Sequence, residues 1–256
     1  MFEFTYNQQE RERVERGIRL AATFGIMPAT MKLCGRKFKN APEVLRNFLD
    51  KKSDATPQKA REALETFESA TQYYKLIAGA NGIADHFDER IIEAYWIGND
   101  LLKNVNPDDI KKMIREKMTG AGLMTREDAE QRIANLTAQP IAHHNFHVLN
   151  LGGATEEARQ TKNLQELCRV SWGTVKENPN DKIQNPKVVV DFQPLEEKNG
   201  RISLSAEQQQ KKIQWDKALV PEIKKGDIVA FHWNQICQIL TPEQTRNLEH
   251  YTNLSC

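Results

Sequence analysis

The chain has 256 residues, and 36 lysines and arginines balance 35 aspartates and glutamates, which gives a formal net charge of +1. Binding to nucleic acid or to an anionic membrane needs a surplus of positive charge, so we expect neither partner. No apolar run approaches the roughly 18 residues of a membrane-spanning helix, and the polar stretch 1–13 lacks the pattern of a signal peptide. The cysteines form no C-x-x-C pair, which predicts free thiols in a cytoplasmic protein; they are Cys34, Cys168, Cys237 and Cys256.

Helical periodicity and capping residues dominate the first half of the chain. The amphipathic stretch Gln8 to Ala22 predicts a helix ending at Gly25, and Thr56-Pro57 predicts the start of a long helix that runs to Asn81-Gly82. Further helices are predicted at Pro42 to Lys52, from Asp85 through Leu102 with Gly98 in its interior, after Asn106-Pro107, and from Thr125 to about Leu136. We therefore predict a helical domain at residues 1–138.

A different pattern begins at Pro140. Ile141 to Leu151 alternates between two faces, which predicts a strand, and Gly152-Gly153 ends it. The stretch Thr155 to Leu164 is predicted as a short helix or a linker. Residues 139–164 are thus expected to be a His-rich strand and a linker between two domains.

The last part of the chain predicts short strands and one helix. Lys198-Asn199-Gly200 is typical of a turn, Glu207 to Lys212 is expected to be a polar loop, and Thr241-Pro242 predicts the final helix. The predicted strands are Leu167 to Val175, Val188 to Phe192, Arg201 to Leu204, Lys212 to Trp215, and Asp227 to Trp233. This pattern predicts a small OB-like β-barrel with a C-terminal helix at residues 165–256, and an α+β fold class for the whole chain.

Two motifs in this last part carry a resemblance to a known family. The first consists of Cys168, Gly173 and Val175, and the second of Gly226, Asp227, Val229 and His232. In order and spacing they resemble the HypC-type chaperones that mature nickel–iron hydrogenases, over roughly the last third of the chain. Two departures are that Cys168 lies deep inside the chain and that Trp172 stands where the family usually has proline.

The resemblance implies a role in iron handling. In that family the cysteine thiolate helps to hold iron that carries diatomic ligands, and the protein docks on the immature large subunit. It therefore nominates Cys168 as an iron-binding and partner-binding residue, with His232 as its neighbour. A thiolate is a strong ligand for iron, and an adjacent imidazole can orient it. The alternatives are a buried structural cysteine and a hydrogen-bonded core histidine.

Four stretches resemble a second family along the whole chain. These stretches are Met27 to Gly35, Tyr95 to Asn99, His143 to His147, and Gly226 to Trp233. They are similar to an uncharacterised prokaryotic family that is associated with nickel–iron hydrogenase gene neighbourhoods. This similarity strengthens the link to hydrogenase without implying a reaction.

A second candidate site is the histidine cluster His143, His144 and His147. Imidazole is a common ligand for transition metals. On a strand, however, residues four apart lie about 13 Å apart, so they cannot hold one ion unless the segment bends. Additional ligands from the helices would then be needed, and the candidates are His86, Glu93 and Cys34.

Standard catalytic motifs are absent, including G-x-S-x-G, the P-loop and H-E-x-x-H. We therefore expect a non-catalytic accessory or assembly protein for a nickel–iron hydrogenase. It would bind the large subunit or other maturation proteins, and iron through Cys168 and His232. A metal-dependent enzyme or metal-binding protein built on the histidine cluster is one alternative, and a scaffold without metal is another.

Overall fold

The computed structural model describes residues 7–52, 56–136, 139–152, 162–177, 186–198 and 200–256. Helices dominate the described chain up to residue 168, and the part after it holds the strands and a C-terminal helix. This confirms the mixed α+β class. Within these ranges, no helix is both long enough and apolar enough to cross a membrane.

The helices begin largely where capping residues predict them. Asn7, Thr125 and Thr241 form capping boxes, and the Thr56 side chain accepts a hydrogen bond from the backbone N–H of Lys59. The α-helices are α1 Gln8–Thr30, α2 Ala41–Leu49, α3 Pro57–Glu65, α4 Glu68–Ala80, α5 Glu89–Trp96, α6 Pro107–Met113, α7 Arg126–Ala134, α8 His144–Phe146, α9 Lys162–Cys168 and α10 Pro242–Ser255. A 3-10 helix spans Asp100–Asn104, and π-helices span Ile114–Met118 and His147–Leu151.

The strands form a closed sheet and a separate two-stranded sheet. They are β1 Ser171–Val175, β2 Lys187–Phe192, β3 Leu195–Lys198, β4 Arg201–Leu204, β5 Gln209–Gln214, β6 Ile228–His232 and β7 Gln235–Ile239. Five of them pair in the order β1-β2-β5-β7-β6, and β6 pairs back with β1, with Ser171 opposite Phe231. Among the described residues, strands β3 and β4 pair only with each other, around the predicted turn at residues 198–200. Asn199 in this turn lies outside the described residues.

One large hydrophobic core joins the helices to the sheet. It includes Phe24 of α1 and Trp96 of α5, together with Ala230 of β6 and Leu248 of α10. A smaller core fills the inside of the closed sheet, with Val190 among its fully buried members. The helical part and the sheet therefore share one buried region, and the candidate site lies in it.

Three predicted helices differ from the observed ones. Helix α1 continues through Pro28 to Thr30 instead of ending at Gly25. Gly25 therefore lies inside this helix, where it packs against the ring of Phe67. The predicted helix from Thr56 to Asn81 is two helices, because the chain breaks between Glu65 and Glu68. Gly98 is not inside a helix; it follows the end of α5 with a φ of +97°, a conformation that favours glycine.

The prediction of a strand at Ile141 to Leu151 is wrong. The segment forms the short helix α8 and a π-helix, because the Nδ1 atom of His143 accepts the backbone N–H of Asn145 and caps a helix. His143, His144 and Asn145 are all buried, so the apolar–polar alternation does not separate two faces. Of the predicted linker Thr155 to Leu164, residues 155–161 lie outside the described residues and the remainder begins α9.

The strand predictions near the sheet also need correction. Cys168 is the last residue of α9 rather than part of a strand, and β1 begins only at Ser171. The predicted polar loop at Glu207 to Lys212 instead holds the start of β5, which pairs with β2. Strand β7 was not predicted, because a tight turn with positive φ at Trp233 and Asn234 reverses the chain directly after β6.

Candidate metal centre

His144, Cys168 and His232 form a compact group of metal-ligating side chains. One ligand atom from each lies within 4.8 Å of the others, and in the described part of the chain this is the one group of three or more such residues that is close enough to hold an ion. His144 and His232 are buried, with exposed fractions of 6% and 1%, and Cys168 is partly buried. The structure thus brings together the two residues nominated by the resemblance and adds His144.

The pairing of β1 with β6 explains why Cys168 meets His232. These strands are antiparallel neighbours, so the residues before β1 lie beside the residues at the end of β6. The backbone N–H of Trp233 donates to the carbonyl of Leu167 over 2.8 Å, which extends the contact beyond the strands. Cys168 follows Leu167 and His232 precedes Trp233, so both residues adjoin this bonded pair and line the same cavity.

A backbone carbonyl of α1 fixes the orientation of His232. The Nδ1–H of His232 donates to the carbonyl oxygen of Phe24 over 2.8 Å. That oxygen would normally accept the N–H of the residue four positions later, but this residue is Pro28, which has no N–H. His232 therefore carries its proton on Nδ1. Its Nε2 is buried with no hydrogen-bond partner among the residues that the structure describes, so its lone pair is available to a metal.

Both ring nitrogens of His144 make hydrogen bonds. The Nε2–H donates to the carbonyl oxygen of Cys168 over 2.7 Å. The Nδ1 atom therefore accepts from the hydroxyl of Tyr95, at 3.2 Å. A metal ion at His144 would replace one of these two hydrogen bonds. The other would remain as the second contact that orients a metal-binding imidazole.

Asn145 ties the helix that carries His144 to two other elements. Its side-chain oxygen accepts the backbone N–H of Val170 over 2.7 Å, and its amide donates to the Val170 carbonyl over 2.9 Å. The same amide donates to Thr252 of α10 over 2.8 Å. Because Asn145 is fully buried, these bonds fix the position of α8 relative to the segment that follows Cys168.

The indole of Trp96 covers one side of the group. Its ring centroid lies 4.3 Å from that of His144 and 5.3 Å from that of His232. Phe24 stacks on Trp96 at 5.0 Å, and the Trp96 N–H donates to the hydroxyl of Tyr74 over 2.8 Å. This packing keeps water away from the imidazoles and leaves Trp96 little freedom to move.

Burial keeps all three candidate ligands uncharged. It lowers the pKa of His232 to about 4 and that of His144 well below its ordinary value. It raises the pKa of Cys168 well above the usual range; nearby Cys34 adds to that rise, and the Trp233 indole opposes it. The imidazoles are therefore in their metal-binding form at neutral pH, and only the thiol must release a proton when a cation binds.

The group opens into a cavity of about 660 Å³. Cys34 and His147 also line this cavity, so it contains two thiols and three imidazoles. Burial raises the pKa of Cys34 to about 11. Such a cavity is larger than a bare ion requires and lies within the usual range for small-ligand pockets.

The residues of the second candidate cluster have separate roles. His143 caps α8 and stacks on Tyr251, and His147 contacts the Ser69 hydroxyl at 3.1 Å and the Tyr73 hydroxyl at 3.4 Å.

Two of the three additional candidates for that cluster are engaged elsewhere, and the third, Cys34, lines the cavity without belonging to the three-residue group. His86 contacts Glu65 at 2.7 Å, and Glu93 accepts from Gln244 over 3.3 Å. Of the six residues proposed for the histidine cluster, only His144 belongs to the group that can hold a metal.

Sequence reasoning did not associate His144 with Cys168 and His232, and it did not identify Tyr95 or the Phe24 carbonyl. One available signal was Pro28, because a proline within a helix leaves a carbonyl free for another donor. The other was the order His-His-Asn, in which the first side chain caps the helix and the third anchors it.

The chain belongs to a family of unknown function, DUF6390, which it matches over residues 13–255. No curated protein matches the chain, and no solved structure matches it.

Proposed function

We propose that this protein is a cytoplasmic, non-catalytic accessory factor in nickel–iron hydrogenase assembly, and that it binds iron as cargo through Cys168, His232 and His144. The observation that carries the proposal is the buried Nε2 of His232, which has no hydrogen-bond partner among the described residues. One ligand atom of His232 lies within 4.8 Å of those of Cys168 and His144. A buried polar atom without a partner needs an explanation, and a metal ion held with Cys168 and His144 would supply one for His232.

The donor set fits iron. Thiolate and imidazole ligands suit iron, nickel and zinc, and the Phe24 carbonyl oxygen holds the His232 imidazole as a second contact. Three protein ligands leave further coordination positions open to the cavity. Iron bound here would supply positions for small exogenous ligands, in line with the resemblance to HypC-type chaperones.

Each side chain has a defined task in this proposal. Cys168 releases its proton and supplies the charged ligand, and His232 binds through Nε2 while the Phe24 carbonyl holds its Nδ1–H. Trp96 excludes water from one side. Because both imidazoles are already neutral at pH 7, they bind without losing a proton.

The closed sheet supports the partner-binding part of the proposal. Its strand pairing, with one helix after the last strand, is compatible with the OB-like barrel expected from the motifs around Cys168 and His232. We therefore propose that this part of the chain docks on a hydrogenase large subunit or on another maturation protein.

Metal binding is tested by titrating the purified metal-free protein with Fe(II) under anaerobic conditions, and with Co(II) as a spectroscopic probe. We expect one ion per chain and a thiolate-to-cobalt charge-transfer band. Cys168→Ser should abolish the band, and His232→Gln should weaken binding strongly. Cys256→Ser is the matched control, because Cys256 lies outside the group. A band that persists in Cys168→Ser contradicts the proposed ligand set.

The link to hydrogenase is tested in cells that produce both proteins. We expect affinity purification of the protein to recover hydrogenase subunits or maturation proteins. Cells carrying Cys168→Ala should lose hydrogenase activity, whereas cells carrying Cys256→Ala should keep it. Full activity in the Cys168→Ala cells would show that the protein does not supply iron to the enzyme.

The cavity favours a second candidate function, a metal-dependent enzyme. A space of about 660 Å³ beside a site with open coordination positions is able to admit a substrate, and His147 lies on its wall. Metal analysis of His147→Ala separates the two candidates. Loss of metal from this variant would favour the enzyme built on the histidine cluster, and unchanged metal content would favour the Cys168 site.

A further inference from the structure

We infer that the cavity binds a small organic anion, a carboxylate on an apolar body, which Arg132 and the indole N–H of Trp233 would hold. The inference goes beyond the proposed function, because it requires the cavity and not the metal. It starts from two buried hydrogen-bond donors, Nη2 of Arg132 and Nε1 of Trp233, which have no partner among the described residues. Both side chains line the cavity.

Arg132 is positioned as an anion-binding residue. It extends from α7, and its Nη1 donates to the carbonyl of Leu151 at the end of the π-helix that follows α8. This bond holds the guanidinium in one orientation and leaves Nη2 free. Because an arginine side chain cannot lose its charge in a protein, the unpaired group favours an anionic acceptor.

Trp233 provides a second donor, and its indole also lies beside the Cys168 thiol, whose pKa it lowers. It lies in the tight turn between β6 and β7 with a φ of +50°, which few residues other than glycine adopt. An indole N–H is only a donor and usually finds an acceptor when it is buried. Two unpartnered donors on one cavity wall therefore point to a ligand that accepts hydrogen bonds.

The charged residues around the cavity favour an anionic ligand. Three basic residues line it, Arg36, Lys37 and Arg132, and the acidic Glu68 pairs with Lys37. The histidines and thiols on the wall are uncharged at neutral pH because burial shifts their pKa values in that direction. The cavity thus has a positive surplus, and the exposed Arg36 adds attraction for anions.

The remaining wall defines the body of the ligand. It is largely apolar, and its members include Pro28, Leu33, Phe67, Met118, Leu123 and Leu164. An inorganic anion would leave this surface without contacts, and a nucleotide would need more polar partners. A carboxylate attached to a compact apolar group uses both the donors and the apolar wall.

The test is calorimetric titration of the metal-free protein with benzoate, benzamide and sulfate. Benzoate should bind, and benzamide, which has the same shape without the charge, should bind at least about tenfold more weakly. Sulfate should bind more weakly than benzoate. Equal binding of benzoate and benzamide would overturn the role of the charge, and stronger binding of sulfate would overturn the apolar body.

Variants locate the site. Arg132→Gln should weaken benzoate binding by about tenfold or more, and Trp233→Phe should weaken it to a smaller extent. Arg126→Gln is the matched control, since Arg126 is an exposed residue of the same helix. Circular dichroism checks that each variant folds, and Arg132→Lys, which keeps the charge, should bind better than Arg132→Gln. Unchanged affinity in both Arg132→Gln and Trp233→Phe would overturn the inference.

Two variants should separate binding at the anion site from binding at the metal site. Cys168→Ser should lose the cobalt band and keep benzoate binding, whereas Arg132→Gln should lose benzoate binding and keep the cobalt band. Loss of both ligands in either variant, with the fold intact, would contradict the assignment of two independent sites.

Discussion

Pro28 and His232 are linked through a single oxygen atom, the carbonyl oxygen of Phe24. Pro28 lacks the N–H that would occupy this oxygen within α1, and the Nδ1–H of His232 occupies it instead, over 2.8 Å. The proline thus determines which nitrogen of His232 carries the proton, and it leaves Nε2 free for a metal. A residue that would usually be unfavourable inside a helix has a chemical role in the proposed site.

Replacing Pro28 with alanine should weaken metal binding without weakening the fold. The new backbone N–H would compete with His232 for the Phe24 carbonyl, and loss of such a second contact typically lowers metal affinity about 10–100-fold. Helix stability should not fall, because alanine is the better helix former. Competition titrations with Co(II), together with urea unfolding of the metal-free protein, measure the two effects.

Pro42→Ala is the control for this prediction. Pro42 lies in the first turn of α2, where the backbone N–H has no helical partner in any case. Its replacement should leave cobalt affinity unchanged. Equal affinities for Pro28→Ala and the unmodified protein would show that the proline does not control His232.

The metal-free protein should lose stability between about pH 6.5 and pH 4. Burial lowers the pKa of His143 to about 3 and the pKa values of His147 and His232 to about 4. The unfolded chain protonates these residues near pH 6.5, so in this window it binds more protons than the folded chain. The free energy of unfolding should therefore fall as the pH decreases, by up to about 1.4 kcal/mol per pH unit for each histidine.

Urea unfolding at pH 7 and pH 5 measures this effect. His143→Asn should reduce the difference between the two values, because asparagine keeps an acceptor for the cap of α8 but does not titrate. His250→Asn is the control, since His250 is exposed. If the His143→Asn variant kept the full pH dependence of the free energy of unfolding, the role assigned to the burial of His143 would be contradicted.

Asn145→Ala should destabilise the fold strongly. The change would leave the buried N–H and carbonyl of Val170 without their partners and would remove the bond to Thr252, at a cost of about 2–4 kcal/mol. The exposed Asn104 also makes a side-chain hydrogen bond, at 2.7 Å to Asn81, so Asn104→Ala is a suitable control. It should cost less than about 0.5 kcal/mol. Chemical denaturation at pH 7 compares the two variants.

Two glycine substitutions should change stability in opposite directions. Gly98 has a φ of +97°, and a Cβ there would overlap the ring of Tyr251, so Gly98→Ala should cost at least about 2 kcal/mol. Gly79 lies within α4 with open space around it, so Gly79→Ala should add about 0.5–1 kcal/mol of helix stability. Thermal unfolding of both variants gives the comparison. A similar melting temperature for the two would contradict the proposed packing at Gly98.

Local signals predicted the elements whose ends are set by nearby residues. Thr56-Pro57 and Thr241-Pro242 mark the observed starts of α3 and α10, because a cap and a proline act within one turn. The segment around His143 was predicted incorrectly because it is buried on all sides. In such a segment periodicity does not distinguish helix from strand.

Patterns along the chain were enough to predict the α+β class, the helical first half, most of the strands and the nomination of Cys168 and His232. Three features became visible only in the folded chain: His144 lies beside Cys168 and His232, the Phe24 carbonyl orients His232, and Arg132 and Trp233 line the same cavity. Caps and periodicity are predictable because they arise from neighbours along the chain. A binding site depends on which distant segments the strand pairing and the shared core bring into contact.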